Sequence, residues 1–95
     1  MRVLWAGSAL ADLKKIRAYI ARFHPQAASR IAAHILSTAD LLRQNPALGA
    51  ALSKPGHRRI VIGGTVYVLI YRVREDDVEI LEVFDARRRR TRTRL

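Results

Sequence analysis

The sequence contains no cysteine. Disulfides, thiolate catalysis and cysteine-ligated zinc are thereby excluded together. The absence also fits a reducing compartment. Long apolar runs are missing as well. Beyond the N-terminus the longest, Val66–Tyr71, is far too short to span a bilayer. The stretch Met1–Ala11 is rich in apolar residues, but Gly7 and Ser8 break it and Asp12 follows at once. It therefore does not read as a secretory signal. A cytoplasmic protein without a membrane part is expected.

Acidic residues are scarce. Eight Asp and Glu face 18 Lys and Arg, for a net charge of +10. The imbalance is local. Residues 86–95 hold six arginines and no acid, which leaves twelve cations against the eight acids over residues 1–85. Arg outnumbers Lys 15 to 3. A guanidinium offers a planar fork to phosphate or carboxylate, so this bias favours recognition of an acidic partner.

A chain of 95 residues is one domain. A domain of this size buries only about 60–65% of the surface its unfolded chain exposes. With 49% hydrophobic residues it has material for a modest core.

Periodicity divides the chain. Arg2–Trp5 reads as a first strand. Ser8 is a good N-cap for a helix over Ser8–Phe23, with Leu10, Leu13, Ile16, Ile20 and Phe23 along one face. Pro25 suits the first position of a second helix. Ala28, Ile31, Ala32, Ile35, Ala39 and Leu42 recur there at three and four. Asn45-Pro46 ends it. Residues 46–57 form a loop. From Arg58 the period becomes two: a strand Arg58–Ile62, a two-residue Gly63-Gly64 turn with both glycines at positive φ, and a return strand Val66–Arg74. An acidic turn, Glu75–Asp77, leads to a last strand, Val78–Asp85. The expected fold class is α+β in the order βααβββ. A helical hairpin packs on one face of a small antiparallel sheet. Tyr67-Val68-Leu69-Ile70-Tyr71 is apolar on both faces. A sheet covered on one side should alternate. The second cover is the chain's own loop, a second copy or another protein.

Reactive constellations are few. His24, His34 and His57 lack metal-ligand spacing. Ser8, Ser29, Ser37 and Ser53 lack a nucleophile elbow. Gly63-Gly64 is followed by Thr65 and no lysine, unlike a phosphate-cradling loop. Glu75, Asp76, Asp77, Glu79, Glu82 and Asp85 offer acid or base chemistry, or simply offset nearby arginines. Arg58, Arg59, Arg72 and Arg74 lie on neighbouring strands. A cationic sheet face suits phosphate; the plain alternative is a solvated face. For the C-terminal run the alternative is a basic end that binds polyanions without selectivity.

The run Trp5…Ala9-x-x-Asp12-Leu13-x-x-Ile16-x-x-Tyr19-Ile20-Ala21, then Pro25-x-Ala27-Ala28 and Asn45-Pro46-x-x-Gly49, resembles the RelE/ParE toxin superfamily. So do Gly56-x-x-Arg59, Tyr67-x-x-x-Tyr71-Arg72-Val73, and Val78-x-Ile80-Leu81-x-Val83…Ala86-Arg87. The resemblance implies a toxin of a bacterial type II toxin–antitoxin pair, held by a small antitoxin through a helix and an extended segment. It implies a toxin domain over residues 1–87 followed by an arginine-rich tail, 88–95.

Two branches differ in chemistry. RelE-like members cut messenger RNA on the ribosome; ParE-like members poison DNA gyrase. RNA cleavage would draw on Arg59 and Arg72 for phosphate and on Tyr67 or Tyr71 for proton transfer. Asp85 stands where many family members have His. The chain therefore resembles the ParE branch more closely, with no catalytic set expected; the alternatives are a RelE-like mRNA interferase and a non-toxic member that acts mainly in an antitoxin-bound repressor complex. No metal or cofactor is expected either. Partner or nucleic-acid binding is expected of Arg58, Arg59, Arg72, Arg87, Arg88, Arg89 and Arg90.

Overall fold

The computed structural model describes residues 1–88 and 91–93. Arg89 and Arg90, expected to bind a partner, lie outside the described residues. The elements are β1 (Arg2–Trp5), α1 (Gly7–Ala21), α2 (Pro25–Leu41), β2 (Ala50–Ala51), β3 (His57–Val61), β4 (Tyr67–Val73) and β5 (Asp77–Asp85). The βααβββ order and the α+β class stand, with a two-residue strand added inside the loop. No helix among the described residues is long and apolar enough to cross a membrane.

The five strands form one sheet in the order β1-β5-β4-β3-β2. It is mixed rather than antiparallel, because β1 runs parallel to β5 with Val3 opposite Val78 and Trp5 opposite Ile80. Alternation reports which face a strand buries but not the direction of its neighbour. Here the helical hairpin carries the chain across the sheet, so the first and last strands run together.

Both helix starts use little side-chain capping. Ala6, not Ser8, is the N-cap of α1, and it makes no side-chain cap. Its amide instead donates to Ile80 O at 2.9 Å, so the strand hands over directly to the helix. His24 precedes Pro25 at the start of α2, as the proline rule requires. The inward stripe of α1 is Ala9, Leu13, Ile16 and Ile20. Leu10 and Phe23, expected on it, are exposed: Leu10 lies about one 100° step off the 9-13-16-20 series, and Phe23 lies beyond the end of α1 at Ala21.

Cross-strand register assigns the faces. His57, Arg59 and Val61 lie opposite Arg72, Ile70 and Val68, while Arg58 and Ile60 lie opposite Tyr71 and Leu69. Tyr67, Leu69 and Tyr71 join Ala9, Ile35, Ala39 and Leu42 in the core. They therefore face the helices. Val68 and Ile70 face the other way and are just as deeply buried. A bulge in β5 resets its parity: Tyr71 pairs with Ile80, but Ile70 pairs with Glu82. Leu81 is the extra residue. Without it Glu82 would point into the apolar core; with it, Val83 does.

The β3–β4 connection is longer than a two-residue turn. Ile62 N–H donates to Tyr67 O at 2.9 Å, and Thr65 organises the loop by donating to Ile62 O and accepting from Tyr67 N–H. Only Gly64 of the glycine pair has positive φ, 74°.

The loop after α2 is tied to the core through one phenol. Tyr71 Oη donates to Pro46 O at 2.7 Å and accepts from Gly49 N–H at 2.9 Å. Arg58 adds a bond to Gly49 O at 2.7 Å. A Cβ on Gly49 would lie 2.6 Å from Arg59 O, so no larger residue fits without moving backbone. Tyr71→Phe strands two polar groups beside the core. It is expected to lower unfolding free energy by about 1–3 kcal/mol in urea titration. Gly49→Ala is expected to destabilise as well, through the clash with β3.

Candidate partner-binding groove

α1 ends where α2 begins, and the β3–β4 loop rises beside them. Between the three lies an open groove of about 810 Å³. Ile20, Ile31, Val66 and Tyr67 contribute its apolar part. Tyr19 and Phe23 stand on its rim with 52% and 60% of their surface exposed. Their rings meet edge to face at 5.6 Å, and the Arg22 guanidinium sits 5.8 Å from the Phe23 ring centre. His34 Nε2 lies 2.9 Å from Gly63 O, which fixes the loop against α2.

The groove's charge is one-sided. Arg30, Arg87, His24 and His34 line it, and no carboxylate does among the described residues. An amphipathic helix with apolar anchors and flanking acids would match both its shape and its sign. Periodicity missed this site because it treated Phe23 as core. The signal available was the excess of large apolar residues over what one helix stripe needs.

The arginines singled out from sequence are not brought together. Arg58 points toward the loop and holds the carbonyls of Ala47 and Gly49. Arg72 pairs with Glu79, and its Nε is buried without a partner among the described residues. Arg59 is exposed on the same sheet face as Arg72. Arg87 clasps Asp85 at 2.7 Å, and Arg88 donates its amide to Asp85 O. Tyr67 and Tyr71 face the helices, on the side opposite Arg59 and Arg72. One phosphodiester cannot touch both pairs, because the sheet separates them. The conditional RNA-cleaving set of Arg59, Arg72, Tyr67 and Tyr71 is therefore not assembled.

Proton chemistry gives no better candidate. Hydrogen bonding from Arg87 holds the Asp85 carboxyl below its ordinary value, so it is ionised at neutral pH. Burial raises the Tyr67 phenol, and the Asp85 charge raises it further. Burial likewise raises Tyr71, against its bond from Gly49 N–H and the nearby Arg58 charge. Two of the histidines make structural contacts: His34 bonds Gly63 O, and the buried His57 has Nδ1 3.0 Å from Pro55 O.

The family model described as the ParE toxin of the type II toxin–antitoxin system parDE matches residues 3–90. The toxin RelE2 of Caulobacter vibrioides is 36% identical over 87 residues, which is 92% of this chain and 97% of that protein. Y4kP of Sinorhizobium fredii, also named as a toxin, is 38% identical over 85 residues, 90% of this chain and 88% of the other. A structure of the chromosomal ParDE system of P. aeruginosa superposes with a TM-score of 0.77 at 24% identity, covering 87% of this chain and 92% of that one.

The two raised phenols make a pH prediction. Each ionises less readily folded than unfolded. Their contribution to stability is thus complete below the ordinary tyrosine value of about 10 and declines as pH rises through the raised values. Absorbance titration of phenolate is expected to show a component above that range, and Tyr67→Phe to remove part of it.

Proposed function

Because the chain belongs to the ParE toxins of type II toxin–antitoxin systems, we propose that it inhibits DNA gyrase and is neutralised by a cognate antitoxin seated in the α1–α2 groove. The observation that carries the antitoxin half is the groove itself: apolar, open, cationic at its rim and free of acids among its described lining. An acidic amphipathic segment is the partner of matching chemistry. The gyrase half is supported by the separation of Arg59 and Arg72 from Tyr67 and Tyr71 across the sheet. An inhibitor that works by binding needs no general base. We place the toxin domain at residues 1–87 and treat the arginine-rich 88–95 as an accessory segment.

Induction of the chain alone in bacteria is expected to arrest growth, and co-expression of the adjacent antitoxin gene to restore it. Indifference to both would sink the toxin reading. Purified protein is expected to block supercoiling or trap double-strand breaks with gyrase. Cleavage within translated codons would instead assign the ribosome. An Arg59→Ala, Arg72→Ala double variant with native circular dichroism is expected to remain toxic.

The groove is tested separately. Tyr19→Asp and Phe23→Asp alter exposed side chains, so the fold should tolerate them. Each is expected to weaken antitoxin binding on the order of 100-fold, about 2.7 kcal/mol, in titration calorimetry. Rescue of growth should be lost while toxicity persists.

A further inference from the structure

The β1 strand ends too early to cover its neighbour. It pairs with β5 only from Asp77 to Ile80, and the Ala6 amide takes Ile80 O. β5 continues to Asp85. Along Leu81–Val83 its outer edge therefore faces no strand among the described residues, a position open to pairing with another chain.

Side chains occupy that edge instead. Asp12 on α1 accepts the Val83 amide at 3.1 Å. Arg92 donates to Leu81 O at 3.2 Å. The two are joined to each other, with Arg92 Nη1 and Nη2 at 2.9 and 2.7 Å from the Asp12 oxygens. Together they supply one acceptor and one donor, which is what a neighbouring peptide unit would supply.

A second anchor lies beside the first. The bulge at Leu81 turns Glu82 away from the helices, yet Glu82 is only 3% exposed. Its carboxylate accepts the Thr91 hydroxyl, the Arg92 amide at 2.9 Å, the Thr93 amide at 3.1 Å and the Thr93 hydroxyl at 2.7 Å. Burial opposes ionisation of Glu82, but these bonds outweigh it and hold the carboxyl below its ordinary value. Ile70, buried on this same face, lies directly opposite Glu82.

We propose that Asp12 and Glu82 form a docking cleft for the chain's own Thr91–Arg92–Thr93, and that this strap closes the β5 edge in place of a missing strand. An extended partner segment that pairs with Leu81–Val83 must first displace Arg92. The strap is thus a gate on strand addition built from the C-terminal segment, distinct from the groove, which lies farther along α1 at its C-terminal end.

The arginine in the strap provides the readout. Trypsin is expected to cut the Arg92–Thr93 bond at least 10-fold more slowly in the intact protein than in a free peptide of residues 86–95. Glu82→Gln and Arg92→Lys should retain partial protection of the strap. Arg92→Ala changes a half-exposed side chain, and should raise amide exchange at Val83 while leaving Val68 unchanged. A chain ending at residue 90 should show the same local increase. Cleavage of the intact protein at the peptide's rate, or an unchanged Val83 amide in both variants, would overturn the proposal.

Discussion

β4 has no face in water, and every other element is placed by that constraint. Tyr67, Leu69 and Tyr71 bury against the helices while Val68 and Ile70 bury on the reverse side. Full burial of such side chains is worth about 1.5–3 kcal/mol each, so the strand can be satisfied only as the centre of a sheet with both sides covered. Its backbone must pair on both edges, which fixes β3 and β5 beside it. Tyr71 extends the same logic to the loop after α2, whose polar groups it completes from within the core.

The bulge in β5 converts this packing into surface chemistry. By shifting parity between Ile80 and Glu82, it lets Val83 enter the core and turns a carboxylate to the reverse face. That carboxylate gathers four hydrogen bonds from the C-terminal segment. The same segment also reaches the β5 edge, where Arg92 bonds Leu81 O and Asp12. The groove at the C-terminal end of α1 arises differently. It opens because α1 ends in two exposed aromatics and the β3–β4 loop stands away from them.

Among the described residues, five arginines are already engaged in ion pairs. Arg2, Arg43, Arg72, Arg87 and Arg92 each pair with a carboxylate. The exposed pairs among them contribute little stability but hold side chains in register. Pairing leaves the net charge at +10 but decides which arginines are already engaged. The arginines that shape recognition are those beside an apolar surface, such as Arg30 at the groove, where desolvation strengthens complementarity.

The sequence by itself determined the order of elements, the single domain, the helical corner at His24-Pro25 and the apolar character of β4. Each rests on local rules: periodicity, proline geometry and β-branched runs. It also carried the family, because motif order and spacing survive without knowledge of contacts. Only the tertiary structure decided that β1 runs parallel to β5, since a strand's pattern does not encode its neighbour's direction. Only it separated Arg59 and Arg72 from Tyr67 and Tyr71, because face assignment depends on cross-strand register. The bulge at Leu81 was likewise invisible, as one inserted residue leaves composition and periodicity almost unchanged. The C-terminal arginines show the division most clearly. Their charge is written in the sequence, but Arg92's place on Asp12 exists only where α1, β5 and the chain's end converge.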